Sequence, residues 1–288
     1  KMLIYTTHSA IEKMQEILKD SSLEEDEQAK RFAEVIEQEI VAPDMALSGR
    51  MLEPSGDLWK NRRTNVEASL QVAHALSTHG IQPEVDYYVA ADDVPGEDAG
   101  AGYTDSAMFT SACFYKYFSI NWEVLKSNLV SYGERHSDLA AHTVGAFLKA
   151  AALVTPTGKQ NSFAAHNLPD GIVVDFRDFS LSYANAFAMP AARGERDLVS
   201  QSIAQLAQYI ADMDAGYGRP IKRLWFSPNL RFPLIVLSKE PNGNRTQKEL
   251  ADVSFKSLDE LISMTIETLG FKWEEVSKVK TQEKTSHE

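Results

Sequence analysis

The sequence predicts an α+β protein, and three observations carry that reading. Val85–Ala91 and Phe109–Phe118 are rich in aromatic and β-branched residues and read as strands. Asp138–Val154 places Leu139, Val144, Phe147, Leu148 and Ala151 at helical spacing, and Gly171–Phe176 returns to a strand. Strand, strand, helix, strand in that order is the later part of a βαββαβ, ferredoxin-like unit, so the reading expects a first strand and helix to be missing ahead of it.

Composition narrows the possibilities. A chain of 288 residues, 43% hydrophobic and 24% charged, can bury a substantial core. No apolar run approaches the roughly 20 residues of a membrane helix, and no basic-then-apolar leader opens the chain, so no membrane partner is expected and the protein reads as cytoplasmic. Cys113 is the single cysteine, which excludes an internal disulfide and a multi-cysteine metal site. A net charge of −12 argues against coating nucleic acid by bulk electrostatics. The charge is uneven, however: residues 1–56 hold six Lys/Arg against twelve Asp/Glu, whereas Leu58–Asn65 contains Lys60, Arg62 and Arg63 and no acid. A nucleic-acid role requires local patches of this kind.

Taken in order, the chain begins with a helix capped at Ser9, with Glu12 at capping-box spacing and Ile11, Met14, Ile17 and Leu18 on one face. A second, acidic helix spans about Leu23–Val41 and stops at Pro43. Asp44–Met51 is a short apolar segment ending in a turn, and Leu52–Asn65 is a loop, read either as a mobile surface loop or as one that contacts phosphate. The spacing of Val66, Leu70, Ala73 and Leu76 predicts a helix over Val66–His79, closed by Gly80. His74 and His79, five apart, do not share a helical face as a metal pair would, and read as core or capping groups. The connection Asp92–Ser106 is long for neighbouring strands and is expected to be a functional or disordered insertion. Asn121 caps a short helix. A short helix is expected near Tyr183–Met189 and a longer one, capped by Asp197, through Asp214. Ile221–Ser227 and Phe232–Ser238 read as paired strands, Glu240–Arg245 as a loop, Leu258–Leu269 as the last helix and Lys278–Glu288 as a charged tail.

Alternation along Phe109–Phe118 puts Phe109, Cys113, Tyr115 and Tyr117 on one face and Phe114, Lys116 and Phe118 on the other. A lysine flanked by aromatics suits bases stacked beside a phosphate chain; a strand buried on both sides is the plainer alternative. Other chemistry is weaker. Thr155–Ser162 lacks the first glycine of a phosphate loop and has Gln160 at the magnesium-binding Ser/Thr position. Gly100-Ala101-Gly102 is no dinucleotide fingerprint, and neither Gly-x-Ser-x-Gly nor His-Glu-x-x-His occurs. Asp92, Asp93, Asp98 and Asp105 could gather a cation, but acids beside glycines are ordinarily solvated turn formers. No cofactor is indicated.

Six segments together resemble one family, the backbone (CasC) subunit of the type I-E CRISPR Cascade complex, in the RAMP superfamily. They are Asp44–Met51, Val66–His79, Asp86–Asp93, Gly100–Gly102, Phe109–Tyr117 and Gly158–Asn167. The resemblance implies an RRM-type palm, a helical finger and a thumb, here 1–84 as finger, 85–239 as palm with a thumb at 92–106, and 240–288 as a C-terminal helix and tail. It implies a non-catalytic protein that stacks copies of itself along crRNA beside other Cascade subunits and presents the guide to target DNA. Met51 matches the family's wedge methionine, Tyr88 an aromatic near the displaced base, and Tyr103 or Thr104 the aliphatic wedge of the thumb, from which both depart. The candidate RNA-contacting residues are Ser48, Arg50, Met51, Tyr88, Tyr103, Thr104, Lys116, Lys159, Gln160 and Asn161. Two other readings stand beside this one: a metal-dependent ribonuclease using Asp92, Asp93 and Asp105, and a helical adaptor that binds only protein.

Overall fold

The computed structural model describes residues 6–38, 42–52, 59, 62, 64–91, 101–191, 197–239 and 245–273. The first half runs α1 (His8–Lys19), α2 (Glu25–Gln38), α3 (Pro43–Ser48), β1 (Leu70–Val72), β2 (Leu76–Ser77), β3 (Glu84–Ala91), β4 (Ala101–Phe109), β5 (Phe114–Tyr115) and β6 (Phe118–Ile120). It continues with α4 (Trp122–Asn128), α5 (His136–Leu153), α6 (Gln160–Phe163), β7 (Ile172–Phe176), α7 (Leu198–Tyr217), β8 (Lys222–Phe226), β9 (Ile235–Lys239), β10 (Arg245–Glu249), β11 (Val253–Phe255) and α8 (Leu258–Thr268). The mixed α+β class is borne out, with several small sheets. Among the described residues no helix is long and apolar enough to cross a membrane.

Two compact units result. The first takes the described residues of Lys1–Val72, Phe118–Pro169 and Ser257–Glu288. Its centre is α5, which packs Ala140 against Ala46, Leu47, Leu125 and Leu129 on one side and Ala141 against Ile262 and Ile266 on the other. Gly145 makes the second contact possible, because a Cβ there would stand 2.6 Å from Ile266 Cδ1 and 2.8 Å from Trp273 Cζ3. The two-stranded β1–β6 ladder, Leu70 opposite Ile120, lays Leu70 and Ile120 on the first of these clusters.

The second unit takes the described residues of Ala73–Tyr117 and Asp170–Lys256. Its three-stranded sheet has the order β11-β8-β7, parallel on one side of β8 and antiparallel on the other. Ile203, Ala207 and Ile210 of α7 join Trp225, Phe232, Leu234 and Tyr183 in its core. At one end of this sheet lies a buried charge cluster. The Arg223 guanidinium, with 0% of the residue exposed, grips Asp175 at 2.8 and 3.0 Å and Asp214 at 2.6 and 2.9 Å, and the Tyr183 hydroxyl donates to Asp175. Arg177 adds ion pairs to both aspartates. Burial works to lower the Arg223 pKa, but the carboxylates of Asp214 and Asp175 outweigh it and raise it.

The same surroundings push the Tyr183 pKa from its usual 10.0 up to about 12, chiefly through burial and then through the Asp175 charge. A raised folded-state pKa stabilises fully below the unfolded value and is lost as pH climbs through the folded one. Tyr183 is therefore expected to stabilise the unit fully below about pH 10 and to lose that contribution between roughly 10 and 12. Urea titrations of the wild type and Tyr183→Phe across this window check it; the stability gap between them should narrow as pH rises.

Several sequence expectations hold. Asn121 Oδ1 accepts from the Val124 N–H, and Asp197 Oδ1 accepts from Ser200, as caps of α4 and α7. β7 occupies Ile172–Phe176, and α5 and α8 fall within two residues of their expected bounds. The first helix starts earlier than read, capped by Thr7 in place of Ser9.

Other expectations are corrected. Val66–His79 is not a helix: Val66 bridges Arg50, β1 pairs with β6 and β2 with β5, so strand partners distant in sequence override the helical spacing. Phe109–Phe118 is broken into the end of β4, then β5, then β6; Cys113, Tyr115 and Tyr117 are half-buried and Phe114 and Lys116 exposed, as alternation requires, but Phe118 is half-buried, out of the alternation. Among the described residues β3 and β4 pair only with each other, so they do not share a sheet with β7 as the ferredoxin-like reading required. Residues 101–106 of the expected loop belong to β4, while 92–100 lie outside the described residues. β8 pairs with β7 and β11, and β9 with β10, in place of a β8–β9 pair; β10 went unread because Arg245–Glu249 is polar throughout, and β11, Val253–Phe255, because it is only three residues long. The stretch before α7 is a 3-10 turn, Ala184–Phe187. Residues 240–244 and 278–288 lie outside the described residues.

Candidate nucleic-acid interface

The first unit contains a shallow groove of about 390 Å³ lined by Ser48, Gly49, Arg50 and Met51 on one side and Asn65, Val66, Glu67 and Ala68 on the other. Its geometry begins with Pro43, which starts α3, and Gly49, which ends it at φ 75. A Cβ at Gly49 would meet the Ala68 nitrogen and the Val66 oxygen at 2.8 Å each, so glycine is required by both conformation and space. The next residue is locked by two backbone bonds, Arg50 N–H to Val66 oxygen and Val66 N–H to Arg50 oxygen, each 2.8 Å.

Side chains complete the brace. Arg50 is 8% exposed, and its Nε and Nη2 donate to the Thr64 carbonyl at 3.1 and 2.9 Å. Burial lowers its pKa. The Thr64 hydroxyl donates to the Leu52 carbonyl, Asn65 Oδ1 accepts from the Leu52 N–H, and Asn128 Nδ2 reaches the carbonyls of Ala46 and Glu67. From this braced turn Met51 stands out with 82% of its surface exposed. A flexible apolar side chain on a rigid base can slide beside a base or fill an irregular gap. Exposed Ser48 donates to the Asp44 carbonyl, which leaves its oxygen lone pairs directed by the turn.

The remaining candidates fall in separate places. Tyr88 and Thr104 lie on the β3–β4 hairpin, where Val89 opposes Thr104 and the Tyr103 backbone pairs with Ala90. The Tyr88 hydroxyl donates to Asp105 Oδ2 at 3.1 Å, and Asp105 Oδ1 accepts from the Ser106 N–H. Lys116 is exposed between β5 and β6. Lys159, Gln160 and Asn161 form a tight turn in which Lys159 (φ 61) and Ala164 (φ 46) bracket α6 in left-handed conformations that cost non-glycine residues about 1–3 kcal/mol each. Gln160 Nε2 donates to the Pro156 carbonyl while its Oε1 is buried without a partner, and Lys159 and Asn161 are exposed.

Sequence reasoning missed the far wall of the groove because Val66–Ala68 was read as the start of a helix and Asn65 as the end of a loop. Of the basic Leu58–Asn65 loop, Arg62 is tied to Glu37 at 2.8 Å and Glu34 at 3.6 Å on α2, while Lys60 and Arg63 lie outside the described residues. Asp92, Asp93 and Asp98 also lie outside them. Among the described residues no group of three or more His, Cys, Asp or Glu could hold a metal ion.

The profile of the family described as CT1975-like protein matches residues 1–264, nearly the whole chain. The chain belongs to that family. Its fold is similar to a chain of a "CRISPR RNA-guided surveillance complex, pre-nicking" (26% identity, 91% of this chain and 67% of that chain, TM-score 0.69). It is also similar to a chain of another "CRISPR RNA-guided surveillance complex" (26% identity, 84% of each chain, TM-score 0.60). No curated protein matches. The resemblance read from the six segments, to a CRISPR Cascade subunit, is thereby borne out for this family member.

Proposed function

We propose that the protein is a non-catalytic backbone subunit of a type I-E Cascade complex, holding crRNA in successive copies and presenting it to target DNA beside other Cascade subunits. The observation that carries this reading is Met51, an exposed apolar side chain on a turn braced by Arg50, Thr64, Asn65 and Asn128. Binding that ignores sequence needs phosphate and sugar contacts plus apolar wedges between bases. Met51 is the wedge, Arg50 braces it from behind, and Ser48, Lys116 and the Lys159–Asn161 turn meet the backbone. In this reading α1 and α2 belong to the finger, the β7–β8–β11 sheet with α7 to the palm, and the β3–β4 hairpin is the thumb. Tyr88 stands by the displaced base, and Tyr103 or Thr104 reaches Met51 of the next copy.

The net charge of −12 fits a protein that holds RNA through a few local contacts. Lys159→Ala is expected to weaken binding to RNAs of unrelated sequence about equally and to lower the salt slope by roughly one. Size-exclusion chromatography of the chain with and without guide RNA tests the wider reading: large regular assemblies should form only with RNA, and the RNA should stay intact in magnesium. Cleaved RNA, or assemblies of the protein alone, would refute it.

A further inference from the structure

The β3–β4 hairpin is joined to its unit through a root in which a histidine ring takes the part of a backbone carbonyl. β2 and β5 pair over two positions, Leu76 with Tyr115 and Ser77 with Phe114. The next residue continues the ladder, since the Thr78 N–H donates to the Cys113 carbonyl at 2.9 Å. The Cys113 N–H then meets no backbone acceptor; it donates to His79 Nε2 at 3.1 Å. An amide can only donate, so Nε2 carries the lone pair, and Nδ1 carries the proton toward the Gly80 carbonyl 2.8 Å away. Both ring nitrogens are thus committed, in one neutral tautomer.

Beyond this rung the strand pairing stops. Residues 80–83 and 110–112 belong to no strand, and pairing resumes only at Glu84 opposite Phe109. Below it the root is fixed. The hydroxyls of Thr78 and Ser202 on α7 lie 2.7 Å apart, Ala191 N–H donates to the Thr78 carbonyl, and the Tyr115 hydroxyl accepts from the Tyr183 N–H at 3.0 Å. The hairpin therefore meets its anchored root through two unpaired linkers, and His79 closes the last rung before them.

We infer that His79 is a positioning residue for assembly: by closing the Cys113 rung it sets the direction in which the hairpin leaves its root. This rests on the reading of the hairpin as the element that reaches the next copy. His79→Ala removes the acceptor, whereas His79→Gln keeps one, because a glutamine amide can offer Oε1 to Cys113 and Nε2–H to Gly80. Two readouts on the full chain separate the possibilities: amide exchange at Cys113 and over 84–91 and 101–109, and yield of regular assemblies on guide RNA. His79→Ala should speed exchange at Cys113 and cut assembly about tenfold, the equivalent of one lost hydrogen bond, while Tyr183 and α7 amides stay protected. His79→Gln should restore both. Normal assembly by His79→Ala, or failure of His79→Gln to recover it while Cys113 is again protected, overturns the inference. A protein lacking the hairpin altogether that still assembles overturns the reading beneath it.

Discussion

Replacing Arg223 with leucine is expected to cost about 3–5 kcal/mol, a large fraction of the stability of a typical domain. The cost comes from what is left behind. Arg223 and Arg177 together balance Asp175 and Asp214; without Arg223 a single guanidinium faces two carboxylates in a buried end of the sheet. The Tyr183 hydroxyl also loses the Nη2 contact at 3.1 Å. Because the penalty belongs to an uncompensated charge, removing one carboxylate as well should return part of it. Urea unfolding followed by Trp225, which sits in this core and donates to the Phe232 carbonyl, should show the midpoint fall in Arg223→Leu and partly recover in the double variant with Asp214→Leu. A loss below about 1 kcal/mol would mean that water reaches the carboxylates and that the cluster contributes little to holding β7, α7 and β8 together.

What the sequence made legible was local. Asn121 and Asp197 announce their helices because a cap acts on amides two or three residues away, and β7 and α8 carry apolar patterns that no distant partner contradicts. Val66–His79 fails for the converse reason: Val66, Leu70, Ala73 and Leu76 fit a helical face, yet Leu70 is decided by Ile120 and Leu76 by Tyr115. The charge cluster joins β7, α7 and β8, and no spacing links Asp175, Asp214 and Arg223. The signal that could have found it is a charged residue inside an apolar strand, as in Val173-Val174-Asp175-Phe176 and Arg223-Leu224-Trp225-Phe226. At the groove, Met51 was reached through the family resemblance, whereas its exposure and the brace behind it depend on Thr64, Asn65 and Asn128, side chains with no distinguishing pattern.

Replacing residues 81–111 with a short Gly-Ser turn is expected to leave both cores intact and to abolish regular assembly on guide RNA. On the proposed function the hairpin makes the contact with the next copy. Alternation puts Val85, Tyr87 and Val89 on one face opposite Met108, Ser106 and Thr104, and the large members are exposed, Tyr87 at 73% and Met108 at 64%. An isolated two-stranded hairpin is only marginally stable in water, so a covering surface would stabilise both its order and its apolar face. Its other face carries Glu84, Asp86 and Asp105, and neither strand holds a lysine or arginine, so the hairpin does not grip phosphate. The variant should therefore bind a short RNA with an unchanged salt slope while losing the contact between successive copies. Covering even part of four apolar side chains contributes at least about 3 kcal/mol, so assembly should weaken a hundredfold or more. Mass photometry on a long guide would read this directly, as single copies in place of regular arrays. Arrays of normal length from the hairpin-less protein would show that another surface joins the copies.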